Sequence, residues 1–290
     1  MAPLTFHLIT LKSDISEESL LSAARSHPEQ DRPIYIGKCQ HWIHSPTLSV
    51  EALYNDGKQV KRWDYLLITL SSSLDIAGGI EAHVADKWSI GSAMGDETMI
   101  NNYKQTRQTP LSTPAPPLPS GWSPADQSGL DASVPPPDLE ASLALQSYPL
   151  GSNINDNAKP TSLQKWTGTF GSQHTGPVCM LNLLAYVPGG RERYAQYREA
   201  FAASVGSKYG GSAMFLGIEV TDWSSKGSNE EAKEENLWKD AALVGYPSIW
   251  HFAKMLDDPG YADADRKFKQ GSLRDNPILC CTEVDVGYED

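Results

Sequence analysis

Three histidines near the N-terminus are the residues of this 290-residue chain that are best suited to proton transfer. His7 lies in a short apolar run, and His41 and His44 lie together in a second run. An imidazole can accept a proton near neutral pH without a large change in pKa, and a neighbouring tyrosine hydroxyl can stabilise a developing oxyanion. We therefore predict acid–base catalysis by His7 or His41, aided by Tyr65. The alternative is a packing or surface role for each of these side chains.

Metal and nucleotide chemistry have no sequence signature in this chain. Residues three apart on a regular strand point to opposite faces, so His41 and His44 are not expected to share a metal ion. We find no HExxH or CxxC pattern, no phosphate-binding glycine loop and no G-x-S-x-G turn. The four cysteines, whose spacing fits neither a metal site nor a redox pair, are interpreted as buried reduced thiols; they are Cys39, Cys179, Cys280 and Cys281. We expect no metal and no organic cofactor.

Several further side chains are candidates for binding a substrate. Asn182 interrupts an apolar run, and a buried amide needs hydrogen-bond partners. Arg191 could hold an anionic ligand or pair with Asp240 or Glu219. Buried tyrosines could line a pocket for an aromatic ligand or could simply be core residues. The predicted substrate-binding residues are His44, Trp63, Asn182, Arg191, Tyr194 and Tyr197.

Two similar series of strands and helices must position these residues. In the second half, Val178 to Tyr186 has the composition of a strand, and Tyr194, Tyr197, Phe201 and Val205 have the spacing of one helix face within 191–209. The order of elements there is β-α-β-β-α-β, and the first 105 residues predict the same order. Phe6 and Trp63 are separated by nearly the same length of chain as Met180 and Trp238. We therefore predict an internal repeat.

A proline-rich segment separates the two halves. It contains half of the chain's 20 prolines together with spaced apolar residues such as Trp122 and Tyr148. Such a composition is typical of an extended, ordered strap and not of a free linker. The predicted domains are 1–105, a linker or strap at 106–160, and 161–290.

The second half resembles a known superfamily. The run from Met180 to Leu184, the Tyr209-Gly-Gly211 turn, the run from Trp238 to Ser248 and the run from Met255 to Tyr261 look like an uncharacterised EthD/YciI-related branch of the dimeric α+β barrel superfamily. The resemblance covers 178–286, with a degenerate second copy in 1–105. It implies an α+β fold in which two ferredoxin-like β-α-β-β-α-β units form an intramolecular dimeric α+β barrel, their sheets facing each other.

Charge and the resemblance together define the expected function. The net charge of −12 argues against nucleic-acid and anionic-membrane partners, and no apolar run reaches the roughly 18 residues that a membrane-spanning helix needs. The N-terminus is interpreted as a strand and not a signal peptide, which predicts a cytoplasmic protein. We expect a monomeric pseudo-dimer or a homodimer that acts on a small-molecule substrate.

The resemblance implies a cofactor-independent cyclase, isomerase, dehydratase, lyase or monooxygenase, and an aromatic or polyketide-like substrate. The alternative is a non-catalytic small-molecule-binding or stress-related barrel protein. A large pocket containing a histidine and an amide would favour the enzyme.

Overall fold

Eight antiparallel strands form a closed barrel. The computed structural model describes residues 2–46, 53–55, 59–108, 163–223 and 238–288. The strands are β1 (Pro3–Leu11), β2 (Tyr35–His44), β3 (Tyr54–Asn55), β4 (Gln59–Val60), β5 (Tyr65–Thr69), β6 (Val84–Met94), β7 (Val178–Tyr186), β8 (Ser212–Trp223), β9 (Asp240–Tyr246), β10 (Leu273–Asp275) and β11 (Ile278–Glu283). The barrel order is β7-β11-β2-β5-β1-β6-β8-β9, and β9 pairs again with β7. β10 extends this sheet beside β7, and β3 pairs with β4 separately.

The helices lie in the segments between the barrel strands. They are α1 (Glu17–Ser26), α2 (Gly78–Glu81), α3 (Thr98–Gln108), α4 (Leu163–Gln173), α5 (Gly190–Phe201), α6 (Ile249–Leu256) and α7 (Pro259–Ala264). Two of them continue as short π-helical turns, α5 into Ala202–Gly206 and α7 into Asp265–Lys269. Such turns insert extra residues into a helix and often occur at functional sites.

The predicted fold class, two ferredoxin-like units with separate sheets that face each other, is wrong. Strands from both halves share one hydrogen-bonded sheet, because β11 pairs with β2 and β8 pairs with β6. An open sheet leaves unpaired N–H and C=O groups along its edge strands, and closing the barrel gives those groups partners. The architecture is therefore a single closed antiparallel barrel with an outer layer of helices.

Alternation along the strands divides the buried residues into an interior and an outer face. On β1, Leu4, Phe6 and Leu8 belong to the cluster that fills the barrel, whereas Ile9 belongs to a cluster with α1 and α2. A larger outer cluster joins the second half of the barrel to α4, α5, α6 and α7. An eight-stranded barrel is just wide enough for side chains to fill it, so the outer face is where the two halves can differ.

Among the described residues, no helix is both long and apolar enough to cross a membrane. The proline-rich segment predicted at 106–160 falls almost entirely outside the described residues. The division into domains and the strap therefore stay predictions.

Candidate functional site on the outer face of the second half

Two irregularities in β2 turn both of its histidines toward the outer face. Across the β2–β11 ladder, His41 lies opposite Cys280 and His44 lies opposite Ile278, with shifts of register on either side of this stretch. Cys280 and Ile278 both belong to the outer cluster of the second half. The expectation that His41 and His44 point to opposite faces is wrong, because β-bulges change which face each side chain occupies.

His41 is held by an aromatic stack on α4. Its ring lies 4.3 Å from the ring of Trp166 at an angle of 13°, and Trp166 in turn stacks on Phe170. Both ring nitrogens of His41 are buried and have no hydrogen-bond partner among the described residues. Burial lowers the His41 pKa to about 3, so this imidazole is neutral at physiological pH.

His44 and Asn182 lie in one row across three strands. Ile278 is directly opposite His44 on one side and Asn182 on the other. The Asn182 amide donates to the Met180 carbonyl at 3.0 Å, and its oxygen accepts a long 3.4 Å contact from Asn276. The Asn276 amide also donates to the Leu183 carbonyl, but its own oxygen is buried with no hydrogen-bond partner among the described residues.

A buried ion pair lies in the π-helical turn that follows α7. The Lys269 ammonium is 4.0 Å from Asp265 Oδ1, and the two residues are only 5% and 2% exposed. Asp265 Oδ2 accepts from Gln270, whereas Oδ1 has no hydrogen-bond partner in the described part of the chain. The free energy of burying two charges is recovered only when their geometry is close and the remaining lone pairs are satisfied. Neither condition holds here, which marks the pair as a candidate functional group.

Burial and neighbouring charge adjust the protonation of this cluster. Burial lowers the pKa of Lys269, although the Asp265 carboxylate opposes that change. Burial also lowers the pKa of His44 well below its usual value, and the Lys269 charge adds to this effect. Lys269 and His44 are therefore electrostatically coupled across the space between the helix layer and the sheet.

Two tyrosines of α5 complete the cluster. The Lys269 ammonium lies 5.6 Å from the centre of the Tyr197 ring, and the Tyr194 and Tyr197 rings are 5.3 Å apart. Burial raises the pKa of both phenols, so both stay protonated and can donate a hydrogen bond. We call the group His44, Asn182, Tyr194, Tyr197, Asp265, Lys269 and Asn276 the outer-face cluster.

His7 has a different environment in the first half. It is fully buried, with Nδ1 2.8 Å from the Ser89 hydroxyl and Nε2 3.1 Å from the Thr69 hydroxyl. Its pKa is lowered to about 3, first by burial and then by the charge of Lys87. Both ring nitrogens are thus already engaged by protein groups.

The structure does not bring the predicted catalytic residues together. The Tyr65 hydroxyl donates to Glu17 Oε2 at 2.6 Å, and Glu17 is also paired with Lys38. His7 bonds to other side chains, and His41 stacks on a helix of the second half. These three residues occupy separate places on the outer face.

Two of the predicted substrate-binding residues also lie apart from the cluster. Trp63 is buried in the barrel interior. Arg191 forms two hydrogen bonds to the buried Asp240 carboxylate, which also accepts from Tyr186. Pairing with Asp240 was one of the alternatives for Arg191, and it gives this side chain a structural partner.

Sequence reasoning missed Asp265, Lys269 and Asn276. Asp265 and Lys269 are four residues apart in a charged stretch, a pattern that usually marks a solvated helix face. Their burial depends on the π-helical turn and on the contact with α5, neither of which local composition indicates. Among the described residues, no group of three or more His, Cys, Asp or Glu side chains is arranged to hold a metal ion.

A groove of about 640 Å³ lies elsewhere, between α1 and α2. Its lining includes His83 and the hydroxyls of Ser19, Ser22 and Ser26, with no side-chain amide. It is therefore not the pocket with a histidine and an amide that would favour an enzyme.

Comparisons with known proteins give only distant structural likenesses. No protein-family description and no curated protein matches the chain. A protein of unknown function from Rhodopseudomonas palustris is 26% identical, over 39% of this chain and 85% of that one, with a TM-score of 0.32. An uncharacterized NIPSNAP-like domain protein from Burkholderia xenovorans is 17% identical, over 40% of this chain and 91% of that one, with a TM-score of 0.28.

A provisionally assigned monooxygenase from Lactobacillus acidophilus matches over nearly the full length. It is 8% identical, over 98% of this chain and 94% of that one, with a TM-score of 0.42. At these TM-scores, none of the likenesses assigns an activity to this chain. The EthD/YciI-related branch stays a prediction.

Proposed function

We propose that the chain is an acid–base enzyme that moves a proton on a small enolisable carbonyl compound at the outer-face cluster. The observation that carries this proposal is the buried Lys269–Asp265 pair, whose 4.0 Å separation leaves Asp265 Oδ1 without a hydrogen bond in the described structure. Isomerisation, cyclisation and dehydration of carbonyl compounds all begin with removal of a proton next to the carbonyl. The cluster contains the groups that such a step needs.

Lys269 is the proposed general base. A lysine whose pKa is lowered by burial has a larger neutral fraction at neutral pH, and the neutral amine can take a proton from the carbon next to the carbonyl. The proton then resides on Lys269, beside the Asp265 carboxylate, which stabilises the ammonium that forms. Returning the proton to a different carbon completes an isomerisation with no external oxidant or reductant.

The tyrosines are the proposed donors to the enolate oxygen. The Tyr197 ring lies beside the Lys269 ammonium, and its phenol stays protonated because burial raises its pKa. A preorganised donor in a site that excludes water stabilises developing negative charge more than it would in water. The aromatic rings of Tyr194 and Tyr197 favour an apolar or aromatic body on the substrate.

The test is exchange of the α-protons of acetylacetone and acetophenone into D2O, followed by NMR. Wild-type protein is expected to accelerate exchange of one probe, and Lys269→Met is expected to lower that rate by about 10²- to 10⁴-fold. The matched control is Lys267→Met, because Lys267 is exposed and lies two residues away in the same helical turn. Its rate should equal that of the wild type.

Equal rates for Lys269→Met and the wild type would refute the proposal. Binding of a probe to the wild type without any exchange would instead support the non-catalytic alternative. Melting curves of both variants establish that a lost rate is not a lost fold.

A further inference from the structure

Three of the four cysteines meet inside the barrel. Cys281 of β11 lies directly opposite Cys39 of β2 and directly opposite Cys179 of β7. All three belong to the interior cluster and are at most 5% exposed. Cys280 belongs to the outer cluster instead, because adjacent residues of a strand point to opposite faces. The sequence spacing of the cysteines gave no sign of this row.

The sulfur atoms are close enough to share a ligand. Cys39 Sγ and Cys281 Sγ are 4.0 Å apart, and Cys179 Sγ is 3.5 Å from the thioether sulfur of Met214. A metal–thiolate bond of about 2.3 Å, the value for zinc, allows two sulfurs on one ion to be at most about 4.6 Å apart. The observed 4.0 Å lies within that limit. It is about twice the length of a disulfide bond, so the two thiols are not bonded to each other.

We propose that Cys39 and Cys281 bind one Cu(I) ion inside the barrel, with Cys179 and Met214 as neighbouring sulfur donors. Soft thiolate and thioether ligands select Cu(I), and this ion accepts two-coordinate sites, whereas structural zinc requires four ligands. The described residues contain no set of three His, Cys, Asp or Glu side chains arranged for one ion, which is consistent with a two-thiolate site and argues against zinc.

The backbone beside the pair has the flexibility that metal entry requires. The β2–β11 ladder shifts register between Cys280 and Cys281, next to the proposed ligands. β-Bulges of this kind interrupt strand pairing and are common beside functional sites. Binding replaces two S–H protons with one Cu(I), so two protons leave and no electrons are transferred.

The proposal is tested by anaerobic competition between the full chain and the chelator bathocuproine disulfonate, whose Cu(I) complex is coloured. Wild-type protein is expected to withdraw one Cu(I) per chain from the chelator. Cys39→Ser and Cys281→Ser should each weaken the affinity by more than about 100-fold, since each removes a ligand and not merely an outer-shell contact. Cys280→Ser, which changes the neighbouring thiol on the other face, should retain the wild-type affinity.

Failure of wild-type protein to withdraw Cu(I), or equal losses in Cys280→Ser and Cys281→Ser, would overturn the proposal. So would isolation of a stable Cys39–Cys281 disulfide from protein that binds no Cu(I) after reduction. If a serine variant fails to fold by circular dichroism, the corresponding alanine variant replaces it. X-ray absorption at the copper edge of the wild-type complex must show sulfur ligands only.

Discussion

The two halves of the barrel cover their outer faces in different ways. In the first half, α1 and α2 pack an aliphatic cluster, and the buried His7 bonds to hydroxyls through both ring nitrogens. In the second half the covering cluster is rich in aromatic residues, and buried polar atoms of His41, Thr167, Asp265 and Asn276 have no hydrogen-bond partner among the described residues.

Buried polar groups without partners cost stability, so their concentration at one place requires an explanation. A stable scaffold has no use for them, whereas a ligand site leaves polar atoms available for what it binds. The comparison therefore assigns the scaffold role to the outer face of the first half and the chemical role to that of the second.

The largest expected contrast in stability concerns the buried ion pair. Lys269→Met leaves the Asp265 carboxylate buried without its cation, so the free energy of unfolding should fall by about 3–5 kcal/mol. The double variant Lys269→Met/Asp265→Leu removes both charges and should be as stable as the wild type or more stable. Urea unfolding of the three proteins measures this. A double variant less stable than the single variant would show that the pair stabilises the fold, contrary to this account.

Acid should destabilise the protein through its buried histidines. The pKa of His7 and of His41 is about 3 in the folded state, against about 6.5 in the unfolded chain. Between these values the unfolded state binds more protons, so the free energy of unfolding is fully retained above pH 6.5 and falls as pH decreases through this window. Each histidine should contribute about 1.4 kcal/mol per pH unit.

Urea unfolding at several pH values between 4 and 7 measures that dependence. Removing either histidine should lower the slope by the equivalent of one proton. A slope unchanged in a variant lacking His7 would show that His7 is not a buried neutral group.

A smaller effect should separate the two histidines at neutral pH. His7→Phe leaves the Ser89 and Thr69 hydroxyls without their partner and should cost about 1–3 kcal/mol. His41→Phe retains the stack on Trp166 and removes two unpaired ring nitrogens, so it should be neutral or stabilising. Thermal unfolding of the two variants measures the difference. Equal losses would contradict the contrast between the halves.

Local patterns predicted individual elements better than the way they assemble. The run Val178–Tyr186 is a strand with the predicted bounds, and the helix predicted at 191–209 is α5 with its π-helical turn. The helix predicted from Leu74 to Val84 shrinks to Gly78–Glu81, since two glycines weaken it. Barrel closure could not be derived because it depends on edge pairings, β2 with β11 and β6 with β8, between segments far apart in the chain.

The candidate site was predictable only in part. His44, Asn182, Tyr194 and Tyr197 were identified because polar or aromatic residues stood out in apolar patterns. The faces of His41 and His44 were assigned wrongly, since a bulge is invisible to a period-two rule. Lys269 was missed because a charged residue in a charged segment has no unusual local feature. Its burial is a consequence of tertiary packing alone.

The measurement that tests the central claim most directly compares one variant from each half in the acetylacetone and acetophenone exchange assay. The account predicts that Lys269→Met loses about 10²- to 10⁴-fold in exchange rate, whereas His7→Gln, which alters the first half, keeps the wild-type rate per folded molecule. The opposite result, full activity in Lys269→Met and a comparable loss in folded His7→Gln, would place the chemistry in the first half and contradict the account.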